Sequence, residues 1–147
     1  LKKKIQKIGY SRSSPGNRSA KGLAQLGRLE KFGCDSIYRE IISRHREYKP
    51  ELSKAIKAIL PGGMLVVSSG DRAAGSYTQL KKIILSVLER KGKFVVTGYD
   101  DNPIIFESER EIPEKIASVM ARHCDIHFIY DFKSGELDVE HTEPCNW

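Results

Sequence analysis

The stretch LVVSSGDRAAGS, residues 65–76, decides how this 147-residue chain is read. It starts as a buried strand, because the apolar run Met64-Leu65-Val66-Val67 gives way abruptly to Ser68-Ser69-Gly70. An acid and a base, Asp71 and Arg72, then stand side by side at its carboxyl end among small residues. In open α/β sheets that edge is where ligands bind. The pair is therefore either part of a site or a polar strand end, with Asp71-Arg72 capping the next helix and making an exposed ion pair of little energetic weight.

On either side of this strand, helical and extended patterns alternate. Upstream, residues 4–12 read as a strand opening onto a polar loop at 13–19. A helix follows over 21–32, with Leu23, Leu26 and Leu29 on one face and Gly33 as its stop. A second strand covers 36–42, and the charged loop 44–49 leads to Pro50, a favoured first helical residue. That helix runs to Leu60 and ends at Pro61-Gly62-Gly63. Downstream, residues 76–91 form an amphipathic helix with Leu80, Ile83, Ile84, Val87 and Leu88 on one side, ended by Gly92, and residues 93–98 form a fourth strand. Strand and helix alternating at these lengths predict an α/β domain of three layers, with a mostly parallel, flavodoxin-like sheet. Beyond it come a short strand at 103–106, a helix at 112–123, and a β-hairpin made of 125–132, the turn 133–136 and 137–142. The division expected is a main domain over 1–110 and a carboxyl-terminal helix and hairpin over 111–147.

Twenty-five Lys and Arg against nineteen Asp and Glu give a net charge of +6, which favours a polyanionic partner such as nucleic acid. No apolar run approaches the roughly 20 residues needed to span a bilayer, so no membrane partner is expected. The basic start Leu1-Lys2-Lys3-Lys4 leads into mixed sequence rather than a signal-peptide core. Three cysteines, Cys34, Cys124 and Cys145, are an odd and sparse set, read as free thiols in a reducing compartment and hence as a cytoplasmic protein. No G-x-G-x-x-G or P-loop pattern follows a strand, which argues against a nucleotide cofactor.

A second polar spot, Gly9-Tyr10-Ser11-Arg12-Ser13-Ser14, ends the first strand. In a parallel sheet it shares an edge with Asp71-Arg72, although 57 residues separate Ser14 from Asp71. A serine hydroxyl beside guanidinium groups suits attack on a phosphate, the hydroxyl as nucleophile and the arginines neutralising non-bridging oxygens. Tyr10 reads as packing. Arg44-His45-Arg46 reads either as a phosphate-contacting loop or as a solvated turn.

These residues resemble the resolvase/invertase serine recombinases. Gly9-Tyr10-Ser11-Arg12-Ser13-Ser14 is similar to that family's G-Y-x-R-x-S opening. The likeness continues at Ile37-Tyr38, Ile42-Ser43, Lys49-Pro50-Glu51-Leu52, Pro61-Gly62 and Asp71-Arg72, covering about residues 5–100. The resemblance implies a serine that attacks a DNA phosphodiester, forming a 5′-phosphoserine link and releasing a 3′ hydroxyl. It implies homodimers or tetramers and needs neither ATP nor an obligatory metal. By position it makes Ser14 the nucleophile, sets Arg12 and Arg72 on the scissile phosphate, and has Asp71 orient an arginine or assist proton movement. Ser43 and Lys49 would line the site from the loop after the second strand. Gln25 matches a glutamine common in the family, and Arg44 and Arg46 join the phosphate-binding candidates.

Two departures stand out. The family's D-R-x-x-R pattern ends in a second arginine, which here is Gly75, and another family arginine falls at Lys49, which keeps the charge but loses the bidentate fork. The carboxyl-terminal segment reads as a hairpin rather than a helix-turn-helix, which leaves three readings open: a fragment of a longer protein, a chain that relies on a separate DNA-recognition partner, or a member put to another use. Two further readings stay open. One is a catalytically impaired relative that binds DNA or a recombinase partner. The other is an assembly module in which the old site is vestigial. Cys124, His127, His141 and Cys145 have the spacing of a zinc-ligand set, against which stands the simpler reading of free thiols and surface histidines.

Overall fold

The computed structural model describes the backbone of residues 4–15, 20–98, 102–121, 126–131 and 136–141, and their side chains apart from those of 20–22, 71, 120–121, 126–131 and 136–141. Five strands form one sheet in the order β2-β1-β3-β4-β5: β1 (Lys7–Ser13), β2 (Ser36–Ile41), β3 (Met64–Val67), β4 (Lys93–Val96) and β5 (Ile104–Phe106). The first four are parallel, and β5 runs antiparallel on β4. The helices are α1 (Ala20–Phe32), α2 (Pro50–Lys57), α3 (Gly70–Ala73), α4 (Tyr77–Glu89) and α5 (Ile112–Ala121).

The continuous apolar runs of β3 and β4 follow from burial on both faces, as parallel strands require. On one face the register aligns Ile8, Leu65, Phe94 and Phe106 in a row across four strands. None is more than 1% exposed. Leu52 and Ala55 of α2, Leu80, Ile84 and Val87 of α4, and Ile112, Ile116 and Val119 of α5 cover that row. The other face carries Val66 and Val95 beneath Leu29 of α1. The stripe expected on α1 is thus only partly core: Leu29 is buried, whereas Leu23 is 69% exposed.

The element boundaries shift for local reasons. Helix α2 closes at Lys57 rather than Leu60, with Ala58 as its C-cap. Helix α4 ends through Lys91, at φ 60°, while Gly92 follows where a Cβ would come within 2.7 Å of the Ile59 side chain. The one-turn helix α3 lies where the sequence reading has only a polar strand end. The hairpin is present as β6 (Ile126–Asp131) and β7 (Glu136–His141). Its register pairs Ile126 with His141 and His127 with Glu140, so the two histidine positions are out of step along the ladder. Their side chains, together with Cys124 and Cys145, lie outside the described residues. No helix among the described residues is long and apolar enough to cross a membrane.

Candidate active site

The strand order reverses between the parallel neighbours β1 and β3, the position at which α/β sheets open a crevice at their carboxyl edge. Strand β3 is in register with β1 only from Lys7 to Gly9. Beyond that point β1 has an open side whose buried backbone groups need partners. Gln25, on α1 and 2% exposed, supplies them. The Arg12 N–H donates to Gln25 Oε1 (3.1 Å), Gln25 Nε2 donates to the Arg12 carbonyl (2.8 Å), and Ser11 Oγ donates to Gln25 Oε1 (3.4 Å). The glutamine thus holds the strand that carries Arg12, and its amide is engaged in doing so.

Arg12 is only 1% exposed. Its Nε donates to the Arg72 carbonyl (3.2 Å), and Arg72 Nη1 donates back to the Arg12 carbonyl (3.3 Å). This reciprocal clasp ties the end of β1 to α3 and sets each guanidinium on the other residue's carbonyl. It also gives α3 its purpose: one helical turn straight after β3 swings Arg72 towards β1. Arg12 Nη1 donates to the Ile42 carbonyl (2.8 Å) and to Ser14 Oγ (3.3 Å). With a guanidinium on its oxygen, Ser14 keeps its own proton to give elsewhere, and negative charge developing on Oγ is stabilised. The Asp71 side chain lies outside the described residues. Ser76, not Asp71, is the N-cap of α4 and accepts the Gln79 N–H.

A third cation comes from the segment between β2 and α2. Lys49 is 3% exposed, and its Nζ donates to the carbonyl of Arg46 (2.5 Å) and to Gln79 Oε1 (3.5 Å). Burial, and then the charge of Arg12, hold its ammonium below the usual lysine range, with Glu40 opposing. Lys49 also stands at the N-cap of α2, where its ammonium, a donor only, cannot accept the helix N–H groups, and Pro50 follows at the first helical position. The cap comes from β2 instead. Glu40 Oε1 accepts the Glu51 N–H (3.3 Å), while Oε2 accepts the Leu52 N–H (3.2 Å) and the Tyr10 hydroxyl (2.6 Å). Tyr10 is fully buried, and burial with the Glu40 carboxylate pushes its phenol well above the usual range, so it remains a hydroxyl.

Arg12, Ser14 and Arg72, scattered over 61 residues of sequence, therefore meet at one edge, and Lys49 of the neighbouring loop lies within the influence of the Arg12 charge. Ser43 shapes the loop, its Oγ accepting the His45 N–H (3.3 Å). Arg44 is half-buried with its Nε on His45 Nε2 (3.3 Å), and Arg46 is exposed. Sequence reasoning missed Glu40 and Gln79. Glu40 has no local signal, since its partners are 30 and 11–12 residues away. Gln79 does have one: Ser76-Tyr77-Thr78-Gln79 is a capping-box sequence.

Fold and cluster together define an α/β domain with a basic, serine-bearing cluster at the carboxyl edge of its sheet. The chain belongs to the resolvase family, its residues 7–124 matching the family model "Resolvase, N terminal domain". It is 34% identical to Protein uvp1 of Escherichia coli over 93 residues, which are 60% of this chain and 46% of that protein. It is 31% identical to the Transposon Tn552 DNA-invertase BinR of Staphylococcus aureus over 88 residues, 60% of this chain and 45% of the relative. The chain thus spans about half the length of these relatives. Among solved structures, the C-terminal catalytic domain of ISC1926 TnpA, an IS607-like serine recombinase, shares the fold with a TM-score of 0.55 at 16% identity, over 66% of this chain and 74% of that one. The N-terminal catalytic domain of TP901-1 integrase does so at 0.52 and 18%, over 62% and 76%. The mostly parallel sheet expected from the sequence, here of five strands, belongs to the fold these domains share.

Proposed function

We propose that this chain cleaves and rejoins DNA as a site-specific serine recombinase. Ser14 Oγ attacks the phosphorus of a phosphodiester, the Oγ–P bond forms, and the bond to the 3′ oxygen breaks. The serine proton leaves Oγ, and the departing 3′ oxygen takes one up. The product is a 5′-phosphoserine link and a free 3′ hydroxyl. Because the ester energy is kept in the link, the reverse attack reseals DNA without ATP, and no metal enters the step. Arg12 and Arg72 take the charge of the non-bridging oxygens, Lys49 adds a third cation, and Asp71 orients an arginine or moves a proton. Gln25 serves by bracing Arg12, while Ser43, Arg44 and Arg46 face the DNA backbone from their loop. The observation that carries this reading is the Arg12 Nη1 contact on Ser14 Oγ inside a cluster of cations.

In this reading residues 1–110 form the catalytic unit and 111–147 add a helix and hairpin, with α5 packed into the unit's core through Ile112, Ile116 and Val119. Strand exchange needs a homodimer or tetramer. A DNA substrate and a free Cys34 suit the cytoplasm. Gly75 favours a second reading, a relative that binds DNA or a recombinase partner without cutting.

The test mixes the protein with DNA from its genomic neighbourhood and quenches with detergent. A covalent adduct, absent from Ser14→Ala, supports cleavage. Tight, salt-sensitive binding without an adduct overturns cleavage in favour of the second reading. Neither adduct nor binding turns the reading to assembly.

A further inference from the structure

Gly75 has no side chain, and the reason is in the loop beside it. The β2–α2 loop is laid across this residue. A Cβ there would stand 2.7 Å from the Arg44 carbonyl oxygen and 3.0 Å from His45 Nδ1, which leaves no room for any other side chain. Gly75 is not among the glycines at positive φ, so the position demands space and not a special backbone conformation. The loop is then fastened from α4. Gln79 Oε1 accepts the Gly75 N–H (3.2 Å) and the Lys49 ammonium (3.5 Å), while its Nε2 donates to the His45 carbonyl (3.5 Å). In an ordinary capping box this side chain would return to the N-cap N–H. Here it has moved one residue further back and joined three points of the loop and its seat.

Resting on the reading of Ser14 above, we propose that Gln79 is a positioning residue that clamps the β2–α2 loop onto Gly75 and so delivers the Lys49 ammonium to the phosphate site in place of the side chain Gly75 lacks. Arg44 and Arg46 are placed differently. The backbone of Arg44 occupies the space over Gly75, and the carbonyl of Arg46 is one of the acceptors that aim Lys49. An ammonium has three donors. Two are held by Arg46 and Gln79, and the third remains for a phosphate oxygen. Gly75 and Lys49, which look like two independent losses in the sequence, become one arrangement.

The consequence runs against the simplest expectation. Restoring the arginine with Gly75→Arg adds charge, yet it must displace the loop and with it Lys49. Two readouts test this on Gly75→Ala, Gly75→Arg, Gln79→Ala and Gln79→Glu. The first is the rate of tryptic nicking after Arg44 and Arg46 in the native protein; the Lys49–Pro50 bond resists trypsin. The second is the yield of covalent DNA adduct. Loss of the clamp should open the loop about five- to tenfold more often, raising nicking by that factor in Gln79→Ala and both Gly75 variants. Gln79→Glu, which keeps the acceptor for Lys49 and Gly75, should recover most of the protection. Adduct yield should fall in Gly75→Arg despite the added arginine. The proposal is overturned if Gly75→Arg cuts DNA faster than the parent with its loop still protected, or if Gln79→Ala is nicked at the parental rate. An unmodified protein that forms no adduct at all removes the DNA-cutting reading alone, and the nicking rates still decide the clamp.

Discussion

Replacing Glu40 by alanine should cost far more than an ordinary half-buried glutamate, because one carboxylate does two tasks. It accepts the amides of Glu51 and Leu52 at the start of α2, a helix whose own N-cap residue offers no side-chain acceptor. Losing such a cap costs about 1 kcal/mol. It also accepts the hydroxyl of the fully buried Tyr10 at 2.6 Å. Stranding a buried hydroxyl costs about 1–3 kcal/mol. Together the loss is about 2–4 kcal/mol, which for a domain of this size lowers Tm by roughly 5–15 °C. Thermal unfolding of Glu40→Ala measures it. Adding Tyr10→Phe removes the stranded hydroxyl, so the double variant should recover about 1 kcal/mol or more relative to additivity. Since α2 begins directly after Lys49, Glu40→Ala should also weaken DNA binding. A Tm loss under about 2 °C, or strict additivity with Tyr10→Phe, would refute the reasoning that this carboxylate joins β1, β2 and α2.

Arg72→Gln removes the donor to the Arg12 carbonyl and a charge that the proposed function sets on a phosphate; the slope of log affinity against log salt should fall by about 1, read by titrating labelled DNA at several salt concentrations. Lys49 supplies a pH signature. Its folded value lies below the ordinary 10.5, so the unfolded chain holds the proton longer, and its destabilising burial, complete at neutral pH, relaxes as pH rises through the folded value towards 10.5. Over the same rise DNA affinity should drop, and Lys49→Arg should lose this alkaline fall; DNA titrations between pH 7 and 10.5 follow both. Glu111 is held down to about 2 by its bond to the Lys115 ammonium and by the amides of Glu107 and Ser108. Its contribution is present above the ordinary 4.5 and is lost as pH falls towards 2. Urea midpoints of Glu111→Gln should therefore lie below the parent at pH 7 and converge with it in that acid window.

The sheet was readable because burial writes itself into sequence. Met64-Leu65-Val66-Val67 and Phe94-Val95-Val96 are covered on both faces and carry no polar residue, and the helices between them repeat at their own period. Topology made it readable that the loops carrying Arg12, Ser14 and Arg72 could converge, since parallel strands bring their carboxyl ends to one edge, and the family resemblance singled out these residues. Other parts had no local signature. Helix α3 is four residues long, too short to show a period. The roles of Gln25 and Glu40 depend on backbone groups opened by the parting of β1 from β3 and by the start of α2, which only the folded chain reveals. Lys49 read as a cation of the charged loop, and only the fold shows that it is buried. Gly75 read as a deletion of charge, and only coordinates show a neighbouring carbonyl in the space its side chain would fill.

The central claim is that Ser14 is the nucleophile, and the most direct measurement is the position and chemistry of its link to DNA. Covalent adducts would be digested with nuclease and trypsin, and the modified peptide sequenced by mass spectrometry. Cleavage after Arg12 and Arg18 releases residues 13–18, which hold Ser13 and Ser14 together. The account predicts a nucleotide joined through its 5′ phosphate to Ser14, with Ser13 unmodified and a free 3′ hydroxyl on the other strand end. A link to Ser13 or any other residue, or a 3′-phosphate attachment, would contradict it.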